Sequence, residues 1–512
     1  MDLKTLLLSL MLDSSTWFLL LVGLISVSIV TWYMKHKKNA LIRWPIVDAL
    51  PSLLQNAHRI HEWTVEISNS VGMTIVGRGP LFGLSEVLFT CDPRNVEYMV
   101  KTNFSNYPKG PEFLENFDVI GNGIFNVDFE EWTTQRRMAH TVFTSKNFRN
   151  YITSVSKMLV EDALLPLLAH VATHETAVDV QDVFLRYAFD GIFTVIFGRS
   201  SNYLSINFPD DEFAKAIDEG TDGMFLRHVM PWWKILRFFN LGAEKKLAVA
   251  RKTIDHHLEE YIASKREELR NGVESSDLLA SYITSTTSQA QTPTTDTFLR
   301  DQVLSFLFAG RDSTGTSLTW FFYLISKNPQ VEGKILEELR LVHAKKENTG
   351  GVKKLFVFES EDLKGLVYLH AALTESLRLY PPLPMNLKMC LRDDILPDGT
   401  VMKKGMKILI SVYAMARMES VWGKDCLEFK PERWIDEDGM LSHVPMQNFF
   451  VFNVGPRTCI GKDMAFTQIK LAAAAVLINF HVEVVNGHNV RPQPSLVLHL
   501  ANGLMVKIKK RI

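Results

Sequence analysis

Apolar residues recur along most of the chain at the spacing of one helix face. This spacing runs through the stretches 146–172, 211–270, 298–327, 329–345 and 361–379. The run 81–90 is instead typical of a β-strand. Because helical stretches far exceed strand-like ones, the pattern predicts a mainly α protein with small β-sheets.

The N-terminal region contains one long uncharged run. Residues 17–34 hold no charged side chain, and a helix of that length reaches roughly 27 Å, close to the apolar thickness of a bilayer. The basic segment 35–38 follows, so the positive-inside rule places the remaining chain in the cytosol. Asp2 and Asp13 precede the run without a basic cluster, which disfavours a cleaved signal peptide. We predict a single membrane anchor, with an amphipathic or buried helix as the alternative.

The rest of the chain shows no linker that would divide it. Trp44-Pro45 and Leu50-Pro51 predict a stiff, extended connector after the anchor. Two polar segments, 284–297 and 345–354, are typical of exposed surface loops. The sequence therefore predicts an anchor with its basic flank at 1–39 and one catalytic domain at 40–512.

Composition narrows the classes of function. The 512 residues are 46% hydrophobic and 22% charged, and a formal net charge of −1 gives no reason to expect nucleic acid as a partner. Four cysteines without a CxxC pair are too few for a disulfide framework. The segment 121–123 lacks the rest of a dinucleotide fingerprint, so no nucleotide site is indicated. A small or apolar ligand fits best.

One cysteine near the C-terminal end stands in an informative context. Cys459 follows Phe452, Gly455 and Arg457 and precedes Gly461. Glycines on both sides would let the backbone approach a flat cofactor, and backbone N–H groups could hold the sulfur ionised. Arg457 could bind an acidic group by charge-assisted hydrogen bonds, and Phe452 would cover the sulfur. A buried, inert cysteine in a turn is the alternative, which this five-point spacing makes the weaker interpretation.

The spacing Phe-x-x-Gly-x-Arg-x-Cys-x-Gly is similar to the haem-binding loop of the cytochrome P450 superfamily, and the likeness extends across nearly the whole chain. The resemblance implies a cytochrome P450 fold with a single N-terminal transmembrane helix. It also implies haem b as the cofactor and Cys459 as the axial ligand of its iron. Glu375 and Arg378, three apart on a helix, are implied to form a buried ion pair that Arg433 joins.

Three further residues are candidates for holding the haem. Trp132 and Arg136 lie four apart and so share one helix face, which the superfamily uses for a haem propionate. Lys388 falls where many relatives carry an arginine that faces the other propionate. A lysine supplies the charge without the forked geometry of arginine. A surface lysine remains the alternative at this position.

An acid and an alcohol interrupt the apolar helix from about 298 to 326. Through the resemblance, Gly310 would permit local distortion beside dioxygen, Asp312 would feed protons inward, and Ser313 would supply a hydroxyl at the oxygen site. Most relatives have threonine at the position of Ser313. Thr314 points about 100° away around the helix and cannot replace it without distortion. A structural role remains open, because helical serine often bonds the preceding turn.

The implied reaction is oxygenation of a hydrophobic substrate by O₂ with two electrons from NADPH. These would arrive through NADPH–cytochrome P450 reductase at the endoplasmic reticulum membrane. The segments 107–110, 121–128 and 393–400 resemble the plant branch of fatty-acid and alkane hydroxylases, close to its mid-chain alkane members. A long-chain alkane or fatty acid is therefore expected. Since the same branch includes alkaloid phenol-coupling oxidases, that alternative stays open.

Two other classes of haem protein are alternatives to a monooxygenase. A haem-thiolate isomerase or dehydratase would act on hydroperoxides without a reductase, and the acid–alcohol pair at 312–313 argues against it. A membrane haem-binding or scaffold protein would have no turnover at all. Turnover that depends on both reductase and O₂ separates a monooxygenase or oxidase from these two.

Overall fold

The structure is a computed structural model. It describes the residues 22, 28, 31, 41–44, 48–78, 86–230, 232–285, 295–347, 355–442, 444 and 447–511. The predicted anchor at 17–34 therefore lies almost entirely outside the described residues. Among those described, no helix is long and apolar enough to cross a membrane.

Helices dominate the described chain, in agreement with the apolar spacing. In the N-terminal half they are α1 Leu50–Asn56, α2 Ile60–Val71, α3 Pro93–Glu97, α4 Pro111–Asn116, α5 Phe129–Thr144, α6 Lys146–Leu159, α7 Leu165–His174, α8 Val180–Phe197, α9 Glu212–Val229 and α10 Trp233–Phe238. In the C-terminal half they are α11 Gly242–Arg270, α12 Leu278–Ser285, α13 Asp296–Lys327, α14 Pro329–Glu347, α15 Ser360–Lys364, α16 Val367–Leu379, α17 Val412–Met415, α18 Glu419–Trp422 and α19 Lys462–Asn479.

The strands are short and form small sheets, as predicted. They are β1 Thr74–Arg78, β2 Glu86–Thr90, β3 Val178–Asp179, β4 Met385–Met389, β5 Asp394–Ile395, β6 Val401–Met402, β7 Lys407–Ser411, β8 Phe480–Val484 and β9 Met505–Lys510. One sheet has the order β1-β2-β7-β4, with only the β2–β7 pair parallel. A second has the order β3-β9-β8, and β5 pairs with β6.

Several boundaries differ from the sequence expectation. The connector at Leu50-Pro51 is helical rather than extended, because proline in the first turn of α1 lacks an N–H that the helix would leave unpaired anyway. The stretch 211–270 is divided into α9, α10 and α11. The predicted loops also begin or end within helices α12, α13 and α14, while 286–294 and 348–354 lie outside the described residues.

Helix α13 runs through the largest apolar core. Thr295 begins it by accepting a hydrogen bond from the Phe298 N–H at 3.2 Å. Against α8 its packing is close: Phe322 stacks on Phe184 with ring centroids 5.2 Å apart. A Cβ added at Gly310 would lie 2.7 Å from the Ile192 side chain. The fold therefore fixes the position of the acid–alcohol segment through contacts on the α8 side.

Candidate functional site at the cysteine loop

The cysteine loop is a tight turn that leads into α19. The Cys459 N–H donates to the Phe452 carbonyl at 2.7 Å, and the Thr458 hydroxyl donates to the Gly455 carbonyl at 2.7 Å. Phe452 is buried, with its ring 5.4 Å from that of Phe466. These contacts fix the loop at both ends of the five-point motif.

The structure explains one of the two glycines of the motif, Gly455. Gly455 has a φ of +73°, and a Cβ there would lie 2.3 Å from the Val100 carbonyl oxygen. Glycine is thus required at 455 because another part of the chain comes close to it. The sequence had suggested that a cofactor comes close instead. At Gly461 a Cβ would meet nothing within 4 Å, and the backbone N–H of this residue favours the ionised form of Cys459 by lowering the pKa of the thiol.

Cys459 is the exposed cysteine among four, since Cys91, Cys390 and Cys426 are buried. The residue is exposed as a whole, although protein atoms lie close around its thiol group. Burial against these atoms raises the pKa of the Cys459 thiol, while the Gly461 N–H and the charge of Arg136 act in the opposite direction. A further positive charge, such as a metal ion, would favour the thiolate.

Two arginines join the cysteine loop to the helix α5 region. Arg136 donates from Nη2 to the Thr458 carbonyl at 2.7 Å. Arg457 donates from Nη2 to Asp128 Oδ1 at 2.7 Å, and its guanidinium lies 4.7 Å from the centre of a Trp132 ring. Its buried Nε has no partner among the described residues. Burial lowers the pKa of Arg457 to about 10, with the nearby Arg136 charge adding to the effect.

Two lysines bring more positive charge to the same place. Lys388, on β4, is 4% exposed rather than at the surface, and burial followed by the Arg457 charge lowers its pKa to about 7. Lys109, which the sequence did not single out, sits between the rings of Phe113 and Phe125. Burial and the charges of Arg457 and Lys388 also lower its pKa.

The donor set suits a ligand that carries two acidic groups. Lys109, Lys388 and Arg457 influence one another electrostatically, and Asp128 is the carboxylate that acts on all three. Buried cations in excess of carboxylates are costly unless an anion compensates them. The propionates of the haem that the sequence leads us to expect would supply that compensation, beside the exposed Cys459.

The middle of α13 is open on one side. Ala309 is exposed although the segments 299–307 and 314–322 on either side are buried, and Ser313, one turn later, is partly exposed. The Ser313 hydroxyl donates to the Ala309 carbonyl at 2.6 Å, so it bonds the preceding turn in this structure. Thr314 is only 3% exposed. Of the two alcohols, Ser313 is therefore the one on the open face.

The acid beside Ser313 has its own ion pair. Asp312 is 2% exposed and accepts a hydrogen bond from Arg311 Nη1 at 3.2 Å. Helix α13 is continuous from Asp296 to Lys327, so the local distortion expected at Gly310 is not seen. Packing explains this glycine, because a Cβ there would collide with Ile192 of α8.

The buried ion-pair network expected from Glu375 and Arg378 is present. Arg378 donates from Nε and Nη2 to the two Glu375 oxygens, each at 2.7 Å, and both side chains are almost fully buried. Arg433 Nε lies 3.4 Å from Glu375 Oε1. Trp434 Nε1, which the sequence did not single out, donates to Glu375 Oε2 at 2.8 Å. The network ties α16 to the turn at Pro431–Trp434.

Comparison with known proteins covers nearly all of this fold. Residues 43–509 match the family model described as Cytochrome P450. Alkane hydroxylase MAH1 from Arabidopsis thaliana is 40% identical over 498 residues, which cover 95% of this chain and 97% of the relative. Noroxomaritidine synthase 2 from Narcissus aff. pseudonarcissus MK-2014 is 39% identical, with 91% of each chain covered. Cytochrome P450 86B1 from Arabidopsis thaliana is 40% identical over 93% of this chain and 87% of its own.

Proposed function

The chain belongs to the cytochrome P450 family, and we propose that within it the chain hydroxylates a long-chain alkane or fatty acid. Enzymes of this family use haem b, a reductase partner and hydrophobic substrates. The observation that carries the proposal is the exposed Cys459 in its tight loop, beside buried cations in excess of carboxylates. We take NADPH–cytochrome P450 reductase as the specific electron donor.

The substrate class is supported by the surroundings of α13. Phe308 precedes the exposed Ala309 and, like Leu387, packs against an apolar cluster that includes Phe113 and Phe117. Such surroundings favour a ligand that is apolar over most of its length. The relative named alkane hydroxylase points the same way.

Each candidate residue receives a role in this proposal. Haem, once bound, would supply oxygen activation and oxygen transfer to a C–H bond. Cys459 would hold the iron, and Phe452 would fix the loop that carries it. The acidic groups of the haem would be bound by Trp132, Arg136, Arg457, Lys388 and Lys109.

Protons would reach the oxygen site through α13. The Asp312 carboxylate would take a proton from the solvent side and pass it towards Ser313. The Ser313 hydroxyl, now directed at the Ala309 carbonyl, would rotate about its Cα–Cβ bond to donate into the site. Thr314, which is buried one position further along, would support the helix and take no part in the transfer.

We place the protein in the endoplasmic reticulum membrane with its catalytic domain, residues 40–512, in the cytosol. The support is the uncharged run 17–34 and the basic segment that follows it. This arrangement would bring the domain to the same surface as a membrane-bound reductase and as substrates dissolved in lipid.

The test is metabolite profiling with the full chain, reductase, NADPH and O₂. Three substrate pools are offered separately: very-long-chain alkanes, fatty acids and phenolic amines. We expect hydroxylated products from the alkane or fatty-acid pool that require both reductase and O₂. Coupled phenols from the third pool alone would instead establish the alkaloid-oxidase function, which the relative named noroxomaritidine synthase favours. Turnover without reductase would contradict both.

A further inference from the structure

Helix α13 carries a buried cation, Arg311, immediately before Asp312. Its side chain is 3% exposed, and its Nη1 donates to Asp312 Oδ1 at 3.2 Å. The same Nη1 donates in a closer ion pair to Asp218 Oδ1 on α9. The Asp218 side chain is 51% exposed, so the pair joins a surface carboxylate of one helix to the interior of another. One nitrogen is thus shared by two carboxylates.

The carboxylates around Arg311 affect the charge of this side chain and of the acidic residues near it. Burial disfavours its charge, but Asp218 and Asp312 together outweigh that effect and raise the pKa of the guanidinium above its usual value. Burial, and then the charge of Asp218, raise the pKa of Asp222, one turn further along α9. The Arg311 Nε has no partner among the described residues, so the arginine has an unused donor. The charges and positions of Asp218 and Asp312 therefore decide which of the two carboxylates Arg311 binds more strongly.

We propose that Asp218 is a positioning residue for Asp312: it draws Arg311 towards α9 and leaves the Asp312 carboxylate able to take up and release a proton. The inference rests on the proposed role of Asp312 in proton supply. Without Asp218, Arg311 would be a buried cation with Asp312 as its remaining ion-pair partner. When two buried charges stabilise each other, neutralising one of them leaves the other without a partner, which is costly in free energy. Arg311 would then hold the Asp312 carboxylate more tightly and hinder the proton transfer proposed for it.

The first test measures how electrons are used by the haem-loaded full chain with its reductase. Asp218→Asn is expected to raise severalfold the share of NADPH electrons recovered as hydrogen peroxide. It should lower kcat for product several times while KM changes little. Asp218→Glu should restore most of the coupling, because it keeps the carboxylate. Glu212→Gln, which removes an exposed carboxylate from the first turn of α9, is the matched control and should change neither quantity.

The second test needs no turnover. In the haem-loaded protein, Asp312→Asn should lower the thermal unfolding midpoint more in the Asp218→Asn background than in the parent. The reason is that Arg311 would then have lost both of its carboxylates instead of one. Equal decreases in the two backgrounds would overturn the inference, because they would show that the two acids do not share the arginine.

The possible failures can be told apart. If Asp312→Asn itself produces little peroxide, the proposed proton role of Asp312 is wrong. If Asp312→Asn leaks electrons while Asp218→Asn behaves like Glu212→Gln, only the role of Asp218 is refuted. Equal losses of coupling in Asp218→Asn and Asp218→Glu would also refute it, since charge at this position would then not matter.

Discussion

At the scale of single residues, the basic side chains near Cys459 carry more positive charge than the neighbouring carboxylates neutralise. The charge of Arg457 adds to burial in lowering the pKa of Lys388, and the charges of both residues add to burial in lowering the pKa of Lys109. A buried charge that lacks a partner costs several kcal/mol. These uncompensated charges lower the stability of the cofactor-free protein, and binding of an anionic cofactor would restore that stability.

Lys388 allows that account to be tested by pH. Its pKa is lowered to about 7 by burial. Below that pH the amine is charged in both folded and unfolded chains, so its burial penalty is fully present. As the pH rises towards the usual lysine value, the folded chain releases the proton first and the penalty disappears. We predict that Lys388→Met stabilises the haem-free protein by about 1–3 kcal/mol near pH 6 and progressively less towards pH ~10.

The same variant should lose haem several times faster than the parent near pH 7, measured by transfer to a haem acceptor. Lys404→Met, which removes an exposed lysine close by in sequence, is the matched control. Equal haem loss in both variants would mean that Lys388 does not bind the cofactor.

The two alcohols of α13 give a second prediction. Ser313→Ala should leave substrate binding nearly intact while peroxide per NADPH rises severalfold, and Ser313→Thr should couple at least as well as the parent. Thr314→Ala should be mild, because Thr314 is buried off the open face. A strongly uncoupled Thr314→Ala beside a mild Ser313→Ala would instead identify Thr314 as the working alcohol.

From the sequence alone, candidate site residues could be chosen, but the burial and the neighbours of several of them could not be predicted. The motif spacing singled out Cys459 and Arg457 as candidates, and the resemblance singled out Ser313. Lys388 remained undecided and Lys109 unnoticed, because the burial of a lysine depends on chain segments distant in sequence. The nearby aromatics Phe113 and Phe125 were the available signal for Lys109.

At the scale of elements, α8 and α13 pack closely against each other beside the site. Gly310 and Gly315 of α13 allow the approach, since a Cβ at Gly315 would lie 2.9 Å from the Leu185 Cα. Periodicity predicted where α13 runs but not its partner. The contact explains why the helix stays regular where distortion was expected. The breaks within 211–270 were also missed, because apolar spacing continues across them.

The role of Gly310 can be tested with a second helical glycine as the control. We predict that Gly310→Ala destabilises the protein by about 1–3 kcal/mol, since its Cβ would collide with Ile192 and force α8 and α13 apart. Gly333→Ala in α14 should be neutral or stabilising by up to ~1 kcal/mol, as a Cβ there meets nothing within 4 Å. Urea unfolding measures both. A stable Gly310→Ala with impaired coupling would favour a role at the oxygen site instead.

For the whole molecule, the anchor and the catalytic domain should be separable. We predict that removal of residues 1–39 moves much of the protein into the soluble fraction while haem binding is kept, because the match to the family begins at residue 43. Fractionation together with the haem spectrum measures this. Complete loss of haem binding on truncation would show that the N-terminal segment is part of the catalytic fold.

The central claim is that Cys459 binds the haem iron as a thiolate, and the spectrum of the reduced, CO-bound protein tests it most directly. The parent should show the absorption shift characteristic of a thiolate ligand. Cys459→Ser should lose that shift, because a serine hydroxyl is normally protonated and a poor ligand. Cys426→Ser, at a buried cysteine elsewhere, should keep it. A Cys459→Ser variant with the full thiolate shift would contradict the account.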